Sequence, residues 1–495
     1  MTLLTPVTAK RSAAPNQKVA PVPCPLIVDL DHTLVRTDML HETLIDIAFR
    51  RPTQLLNVLF ALRRGRASLK RTAAIAGNVD YASLPYEGAV VQTIMGRRDA
   101  GGEIHLVTAA DQSIADGVAE ALGCFDSATG SDGSSNLKGP TKAALIAGRF
   151  PDGFDYVGDS AADLPIWRQA RGATVVGGST ALLRRIQREK IPVDTIEQRE
   201  LSLKGWAKLL RLHQWSKNLL LFLPPVLSHD IFDPSVAVFS LLAFLLFGLV
   251  ASSTYIINDL SDLQADRLHA TKRKRALASG RIRISTALCV AAAMLGIGLS
   301  GALWASIGLG ITCLCYLVLT LAYSFVLKRE PLIDVMTIAM LFGLRILAGM
   351  MVIDRPISLW LITFTIILFL SLALAKRTAE LVQAARSKRM VHGRGYQPGD
   401  EVLTLSLGVS AGLTSVVLMV VYFAVDAVPA TLYSAQTPLF LIPAILCLWI
   451  MRIWIRAHRG TLNDDPILFA LRDRGSWLHA VACVGCWTAA LTFHG

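Results

Sequence analysis

Two stretches of this chain carry acidic groups at spacings that suit phosphate chemistry. The first is Asn258-Asp259-Leu-Ser-Asp262-Leu-Gln-Ala-Asp266, which closes a long apolar run and stands just ahead of Lys272-Arg273-Lys274-Arg275. Helical periodicity predicts Asn258, Asp262 and Asp266 on one face, with Asp259 beside them. Three carboxylates that close repel one another unless a divalent cation lies between them. Oxygen-only ligands favour Mg2+, which keeps part of its shell for substrate phosphates. Charges at the edge of a bilayer are costly enough to read as functional; the bland alternative is a polar loop that happens to be acidic. The pattern predicts diphosphate chemistry at a membrane surface.

The second stretch is spread over the first third of the chain. Asp29-Leu30-Asp31-His32-Thr33 follows the apolar Leu26-Ile-Val, and Thr108 ends Ile104-His-Leu-Val-Thr. Lys142, or alternatively Lys138, comes next, and Gly158-Asp159-Ser160-Ala-Ala-Asp163 follows Phe154-Asp-Tyr-Val. Carboxylates at the C-terminal ends of parallel strands converge on the crevice where open α/β sheets bind ligands. A carboxylate nucleophile can form an aspartyl-phosphate and split one hard step into two. Mg2+ and a lysine would offset the charge on the phosphoryl group.

The elements that must position these groups differ in kind. The chain has 495 residues, 53% of them hydrophobic, with a net charge of +12 and a mean hydropathy of +0.48. That length allows two or more domains, and the first 200 residues read as a soluble protein. Four short apolar runs, beginning near Leu26, Ile104, Phe154 and Ala173 and separated by helical stretches, predict a parallel, doubly wound sheet over residues 24–182. A helical insertion at about 39–95 reads as a cap; its basic, leucine-bearing part from Phe49 to Lys70 could also touch a membrane. Residues 1–23 read as a disordered tail without a signal peptide, and 183–202 as a charged linker. Leu203 to Gln214 alternates basic and apolar groups as an interfacial helix would.

Beyond it lie nine apolar segments, at about 218–232, 236–257, 284–303, 306–326, 332–352, 357–375, 402–425, 437–455 and 476–493. A span needs about 20 residues, and the first segment is short and broken by Pro224-Pro225. Basic residues concentrate in alternate loops, which the positive-inside rule places in the cytoplasm, leaving the C-terminus outside. The charge therefore reads as a signal of topology and anionic lipid, and no nucleic-acid partner is expected. The eight cysteines show no metal-ligand spacing with histidines. The expected fold class is multidomain: an α/β Rossmann-like domain with a helical cap, then an all-α polytopic membrane domain (residues 203–495) of about nine transmembrane helices.

Taken in order, the D-x-D-x-T element, Thr108, the lysine and the G-D-x-x-x-D element resemble the haloacid dehalogenase (HAD) superfamily over residues 24–182. The resemblance implies Asp29 as nucleophile, Asp31 as general acid/base, and Thr108 and Lys142 on the phosphoryl oxygens. It also implies Mg2+ among Asp29, Asp31, Asp159 and Asp163.

From about residue 200 onward the chain resembles the UbiA superfamily of intramembrane prenyl-group enzymes. The residues that carry this are Gln214-Trp-Ser-Lys217-Asn218, the Asn258–Asp266 block with its basic continuation, Tyr323-Ser-Phe-Val-Leu-Lys328, Asp334, and Arg345-Ile-Leu-Ala-Gly349. One departure matters. Members that ionise a prenyl diphosphate have a second motif with two carboxylates, whereas Asp334-Val-Met-Thr-Ile-Ala-Met has one. The pattern is similar to the branch that moves phosphoribose from phosphoribosyl diphosphate to a polyprenyl phosphate. That likeness implies Asp259, Asp262 and Asp266, with Asn258, around Mg2+ on the donor diphosphate. It implies Lys217, Lys328 and Arg345 on phosphates, Tyr323 orienting a hydroxyl or phosphate, and Asp334 and Lys376 in the substrate site. The expected activity is bifunctional, with the HAD domain removing the 5-phosphate of the transfer product for a lipid-linked pentose of cell-envelope glycans. The alternatives are an aromatic prenyltransferase of quinone or haem type, and a non-catalytic membrane scaffold. Oligomeric state is left open.

Overall fold

The structure, a computed structural model, describes residues 23–198, 201–353, 356–387, 395–397, 399–427, 433, 435–462, 469–470 and 472–492. The expected tail (apart from Pro23), the Asp354-Arg355 loop and the end of the basic loop at 388–394 lie outside the described residues. The chain divides into two compact units, residues 1–200 with 263–284, and residues 201–262 with 285–495.

In the first unit six parallel strands form one sheet in the order β3-β2-β1-β4-β5-β6. They are β1 (Leu26–Val28), β2 (Ile104–Asp111), β3 (Ser127–Ser131), β4 (Asp155–Gly158), β5 (Gly172–Val176) and β6 (Asp194–Ile196). Helices cover both faces, so β1 is apolar and buried at every position rather than alternating. Leu26, Val28 and Leu106 pack with Val90, Ile94 and Ile114 on one face. Ile27, Val107, Tyr156 and Val175 pack with Ile146, Trp167 and Ile186 on the other. Strand order reverses at β1, whose neighbours are β2 and β4. The chain therefore leaves β1 and β4 in diverging directions and opens a crevice at their C-terminal ends.

Three sequence expectations are corrected here. The stretch 183–202, read as a linker, continues the domain: Thr180–Arg188 is a helix and β6 pairs with β5. β3, too, was not foreseen, because its Ser-Ala-Thr-Gly-Ser sequence carries no apolar signal. The cap helices Met39–Arg50, Pro52–Ala61 and Arg66–Ala76 share a small cluster of their own around Ile47, Val58 and Ala73. A bridge between Val35 and Tyr86 closes that insertion. The Gly88–Asp99 helix instead buries Val90 and Ile94 against the sheet, so the cap ends before residue 95.

The second unit is helical. Seven helices are long and apolar enough to cross a membrane: Pro234–Ser261, Ile284–Ala305, Ile307–Phe325, Ile333–Met350, Leu359–Arg386, Asp400–Ala427 and Thr437–His458. Seven such helices lie among the described residues, where about nine crossings were expected. Over the first expected crossing the chain is helical without a gap through Leu212–Phe222 and Leu223–Leu227, and a short helical turn follows at Asp230–Phe232. The last becomes the 19-residue helix Arg474–Thr492, outside the seven, its hydropathy diluted by Ser476, His479 and Gly485.

The Leu212–Phe222 segment is held in place by its own motif. Trp215 donates its indole N–H to Ser252 at 2.9 Å, and Ser252 in turn bonds the Leu210 carbonyl at 2.7 Å. At Gly349 a Cβ would stand 2.1 Å from the Leu221 carbonyl oxygen, so only glycine lets this segment lie against the Ile333–Met350 helix.

Candidate functional site

Both units contain a cavity with charged side chains in its lining. In the first it measures about 400 Å3 and is lined by Asp29, Asp31, Asp159, Asp163, Lys142 and Lys138, among others. Asp29 follows β1, and its backbone N–H bonds the Val157 carbonyl of β4 at 3.0 Å, which ties the two acid-bearing strand ends together. Lys142 Nζ lies 2.9 Å from Asp29 Oδ1; it is buried, and its charge also faces the Tyr156 ring at 5.2 Å. Of the two candidate lysines, Lys142 is the one that contacts Asp29; Lys138 also lines the cavity. Asp163 is fixed by the Tyr156 hydroxyl at 2.9 Å and by the Ser160 N–H and hydroxyl, both at 3.1 Å.

Ligand atoms of Asp29, Asp159 and Asp163 all fall within 4.8 Å of one another, the one such group of three among the described residues. Burial raises the pKa of Asp159 to about 8, with the charges of Asp29 and Asp163 adding to it. Burial likewise raises Asp29, against the opposing Lys142 charge. A partly buried, oxygen-only set of mutually repelling carboxylates fits a hard divalent cation such as Mg2+. Asp31, expected among the ligands, stands outside this group; its Oδ1 accepts the Met39 N–H at 2.9 Å. Burial, with Asp38's charge adding, moves its carboxyl to about 7.

Thr108 is also corrected. β2 runs on to Asp111, so Thr108 is interior to the strand and fully buried, and its hydroxyl accepts the Ala110 N–H at 3.1 Å. Ala109, Ala110 and Asp111 line the cavity in its place. Residues that motif reading missed include Lys70 from the cap, whose Nζ bonds the Ala109 carbonyl at 2.5 Å and Asn136 at 3.1 Å. Arg66 and Arg283 line the cavity as well. Lys70 and Arg66 belong to the basic cap run that the sequence showed; what they face is a tertiary matter.

These shifts predict a pH dependence. Asp31 and Asp159 have folded pKa values above their unfolded value of 3.8. The stability they contribute is complete below about pH 4 and is lost as pH rises through about 7 and 8. With EDTA present, the thermal midpoint of this unit, followed by tryptophan fluorescence, should fall across that window. Added Mg2+ should restore it increasingly toward pH 8, because the metal binds deprotonated carboxylates. A flat midpoint with and without Mg2+ would contradict this reading of the acid cluster.

In the second unit a cavity of about 270 Å3 is lined by Lys217, Asn258, Tyr323, Arg345 and Lys376, five of the expected residues, and by Arg211 and Arg377. Arg345 is buried. Its Nε donates to Asn218 Oδ1 at 3.0 Å, one terminal nitrogen to the Leu341 carbonyl at 2.5 Å and the other to the Tyr316 hydroxyl at 3.2 Å. The Phe247, Tyr316 and Phe342 rings surround it at 5.0–5.6 Å. All these partners are neutral, so a buried guanidinium presents its charge to the cavity.

The acidic motif is divided by the fold. The Pro234–Ser261 helix stops with Asp262 as its C-cap (φ −92°, ψ 7°), and Leu263–Leu268 is a separate short helix. Asp266 therefore does not continue the face of Asn258 and Asp262, contrary to expectation. Asp259 pairs with Arg211 at 2.5 Å. Asp262 accepts from the Asn258 amide at 3.3 Å and faces Lys328 at 3.8 Å. In the first unit, Asp266 pairs with Arg275 at 2.6 Å and Lys272 at 3.6 Å. Lys328 and Asp334 do not line the cavity.

The UbiA prenyltransferase family profile matches residues 226–474. The chain belongs to the UbiA prenyltransferase family. It is 43% identical to the uncharacterized protein y4nM of Sinorhizobium fredii, over 94% of this chain and 91% of that one. It is 30% identical to the nodulation protein NoeC of Azorhizobium caulinodans, over 55% of this chain and 88% of that protein. It is also 30% identical to the decaprenyl-phosphate phosphoribosyltransferase of Mycolicibacterium smegmatis, over 58% of this chain and 93% of the enzyme. This is a multi-pass UbiA membrane protein with a parallel α/β domain at its N-terminal end.

Within the UbiA unit, Asp334 is fully buried. It accepts from Arg377 Nε at 2.8 Å and from the Tyr396 hydroxyl at 2.6 Å. Removing one member of such a pair leaves an uncompensated buried charge. Arg377→Ala should lower stability by about 3–5 kcal/mol, whereas a paired Arg377→Met/Asp334→Leu change should recover most of it. Thermal unfolding of the detergent-purified variants reads this directly; equal loss in both would show that the pair is not structural.

Proposed function

We propose that the UbiA unit transfers phosphoribose from phosphoribosyl diphosphate to a polyprenyl phosphate, and that the HAD-type domain then removes the 5-phosphate of the product. The observation that carries this reading is Arg345, a buried cation with neutral partners facing a cavity that Lys217 and Lys376 also line. Such a cavity suits two phosphate-bearing substrates better than one prenyl diphosphate and an uncharged aromatic ring. The lone acid of the second motif supports the same choice, since Arg377 and Tyr396 already hold Asp334. Similarity to the mycobacterial phosphoribosyltransferase supports it further.

In this reading Asn258, Asp259 and Asp262 would hold Mg2+ on the donor diphosphate, where the metal would offset the charge of the leaving group. Asp266, expected as a fourth ligand, is committed to Arg275 and Lys272. Arg345 and Lys217 fix the phosphates, and Tyr323 orients the acceptor. A phosphate oxygen of the lipid attacks ribosyl C1 as the C1–O bond to diphosphate breaks, and diphosphate leaves with the bonding pair.

In the HAD-type domain Asp29 attacks the 5-phosphorus. Asp31, protonated in part near pH 7, donates its proton to the departing sugar oxygen and later takes one from the water that hydrolyses the aspartyl-phosphate. Lys142, beside Asp29, offsets the charge that develops. Asp29, Asp159 and Asp163 would hold Mg2+ there. The alternate basic loops put the HAD-type domain on the cytoplasmic side of an inner membrane in this proposal, and the product would feed lipid-linked pentose synthesis.

Purified full-length protein given polyprenyl phosphate, phosphoribosyl diphosphate and Mg2+ should release diphosphate and yield a lipid with the mass of the ribosyl-phosphate adduct. Transfer from a prenyl diphosphate to an aromatic acid, with none from the ribosyl donor, would overturn the assignment.

A further inference from the structure

The segment between the first two membrane-spanning helices, Leu263–Ile284, belongs to the same compact unit as the α/β domain. Its attachment is specific. Arg267 is buried and bonds both carboxylate oxygens of Glu42, at 3.1 and 2.5 Å, and its Nε bonds the Ala278 carbonyl at 3.2 Å. Gln264 donates to Asp46 and to the Asn78 carbonyl, both at 3.1 Å. Leu277, Ala278 and Ile282 are buried. Gly280 adopts φ +66°, and a Cβ there would stand 2.5 Å from the Arg36 Cβ, so the loop turns tightly against the domain at this point.

This anchoring sets Arg281 and Arg283 beside the acid cluster. Arg283 lines the 400 Å3 cavity with Asp29 and Asp159. It also lines a second cavity of about 290 Å3 with Arg281, Arg36 and the Gly177-Gly178-Ser179 turn. His32 and Asp159 are common to both cavities, so the two adjoin where the nucleophile loop meets β4. Arg36 is already paired with Glu87 at 2.8 and 2.9 Å, so Arg281 and Arg283 are the guanidinium groups that this cavity brings to an anion, and Ser179 caps the Thr180–Arg188 helix, whose N-terminal end carries partial positive charge.

We propose that this second cavity is an anion subsite of the phosphatase. It would take a phosphodiester carried by the same molecule whose phosphomonoester is cleaved at Asp29, with Arg281 and Arg283 as its specificity-determining residues. The inference rests on the function proposed above, because the transfer product joins a 5-phosphomonoester and a phosphodiester on one pentose. It goes further in making a loop of the UbiA sequence part of the phosphatase's substrate recognition.

The test uses the full-length protein and two probes, ribose 5-phosphate and synthetic farnesyl-phosphoryl-ribose 5-phosphate. Wild type should prefer the diester-bearing probe in kcat/KM. Arg281→Ala/Arg283→Ala should reduce that preference about 10- to 100-fold, mainly through KM for the diester-bearing probe, and Arg283→Lys should retain part of it. No preference in the wild type, or equal losses on both probes, would overturn the subsite. Ribosyl transfer is scored separately by diphosphate release, so the transferase reading and the subsite can fail independently.

Discussion

Asp29→Asn should abolish orthophosphate release while leaving diphosphate release intact. The amide keeps the size of the side chain and its acceptance of the Leu30 N–H, now 2.8 Å long, but it removes the carboxylate proposed as nucleophile. Loss of a covalent nucleophile lowers turnover by at least about 10^3-fold, and the loss is one of kcat rather than of substrate binding. The neighbouring Lys142, buried at 2.9 Å from Asp29, would lose its counter-charge. Expression and thermal midpoint therefore need to be measured alongside, and Asp31→Asn gives a second, independent probe of the same step. The lipid product should accumulate with its 5-phosphate still attached, visible as an unshifted mass. Orthophosphate release from Asp29→Asn at the wild-type rate would remove this domain from the reaction.

Arg345→Ala should lower ribosyl transfer by about 10^2- to 10^3-fold, the scale of losing one preorganised charge aimed at a phosphate in a dry site. Three contacts fix the guanidinium: Asn218 Oδ1, the Leu341 carbonyl and the Tyr316 hydroxyl. Arg345→Lys keeps the charge but cannot make this fork, so it should recover only part of the activity. The effect should leave hydrolysis of ribose 5-phosphate by the other domain untouched. Similar losses in both assays would point to misfolding, and full activity of Arg345→Ala would exclude the cavity as the donor or acceptor site.

Much of the N-terminal site was legible because its chemistry follows strand ends. Asp29, Asp159 and Asp163 sit in short loops after β1 and β4, and a doubly wound sheet brings such loops together wherever the strands pair in this order. Thr108 misled, because its run Ile104-His-Leu-Val-Thr looks complete while the strand continues through Ala-Ala-Asp. The cap's Lys70 and the loop's Arg283 were visible only as members of basic runs. Nothing local says which of several cations a fold will turn toward a cavity.

In the membrane unit the family motifs located the cavity-lining Lys217, Asn258, Tyr323, Arg345 and Lys376. They did not foresee the break after Ser261, because periodicity assumes that a helix continues. Nor could apolar length give the course of the Leu212–Phe222 and Leu223–Leu227 segments, which depends on contacts with Ser252 and the backbone beside Gly349.

The amino-acid sequence alone determined the division into an α/β part and a polytopic part, the UbiA motifs and the acids that line the N-terminal cavity. These follow from local patterns of hydrophobicity and from residue types whose chemistry does not depend on distant neighbours. Only the tertiary structure decided which acids share a site, that Asp334 is spent on Arg377, and that residues 263–284 fold with the α/β domain. Those outcomes depend on charges far apart in the chain finding their partners, and pairing at that range leaves no trace in spacing.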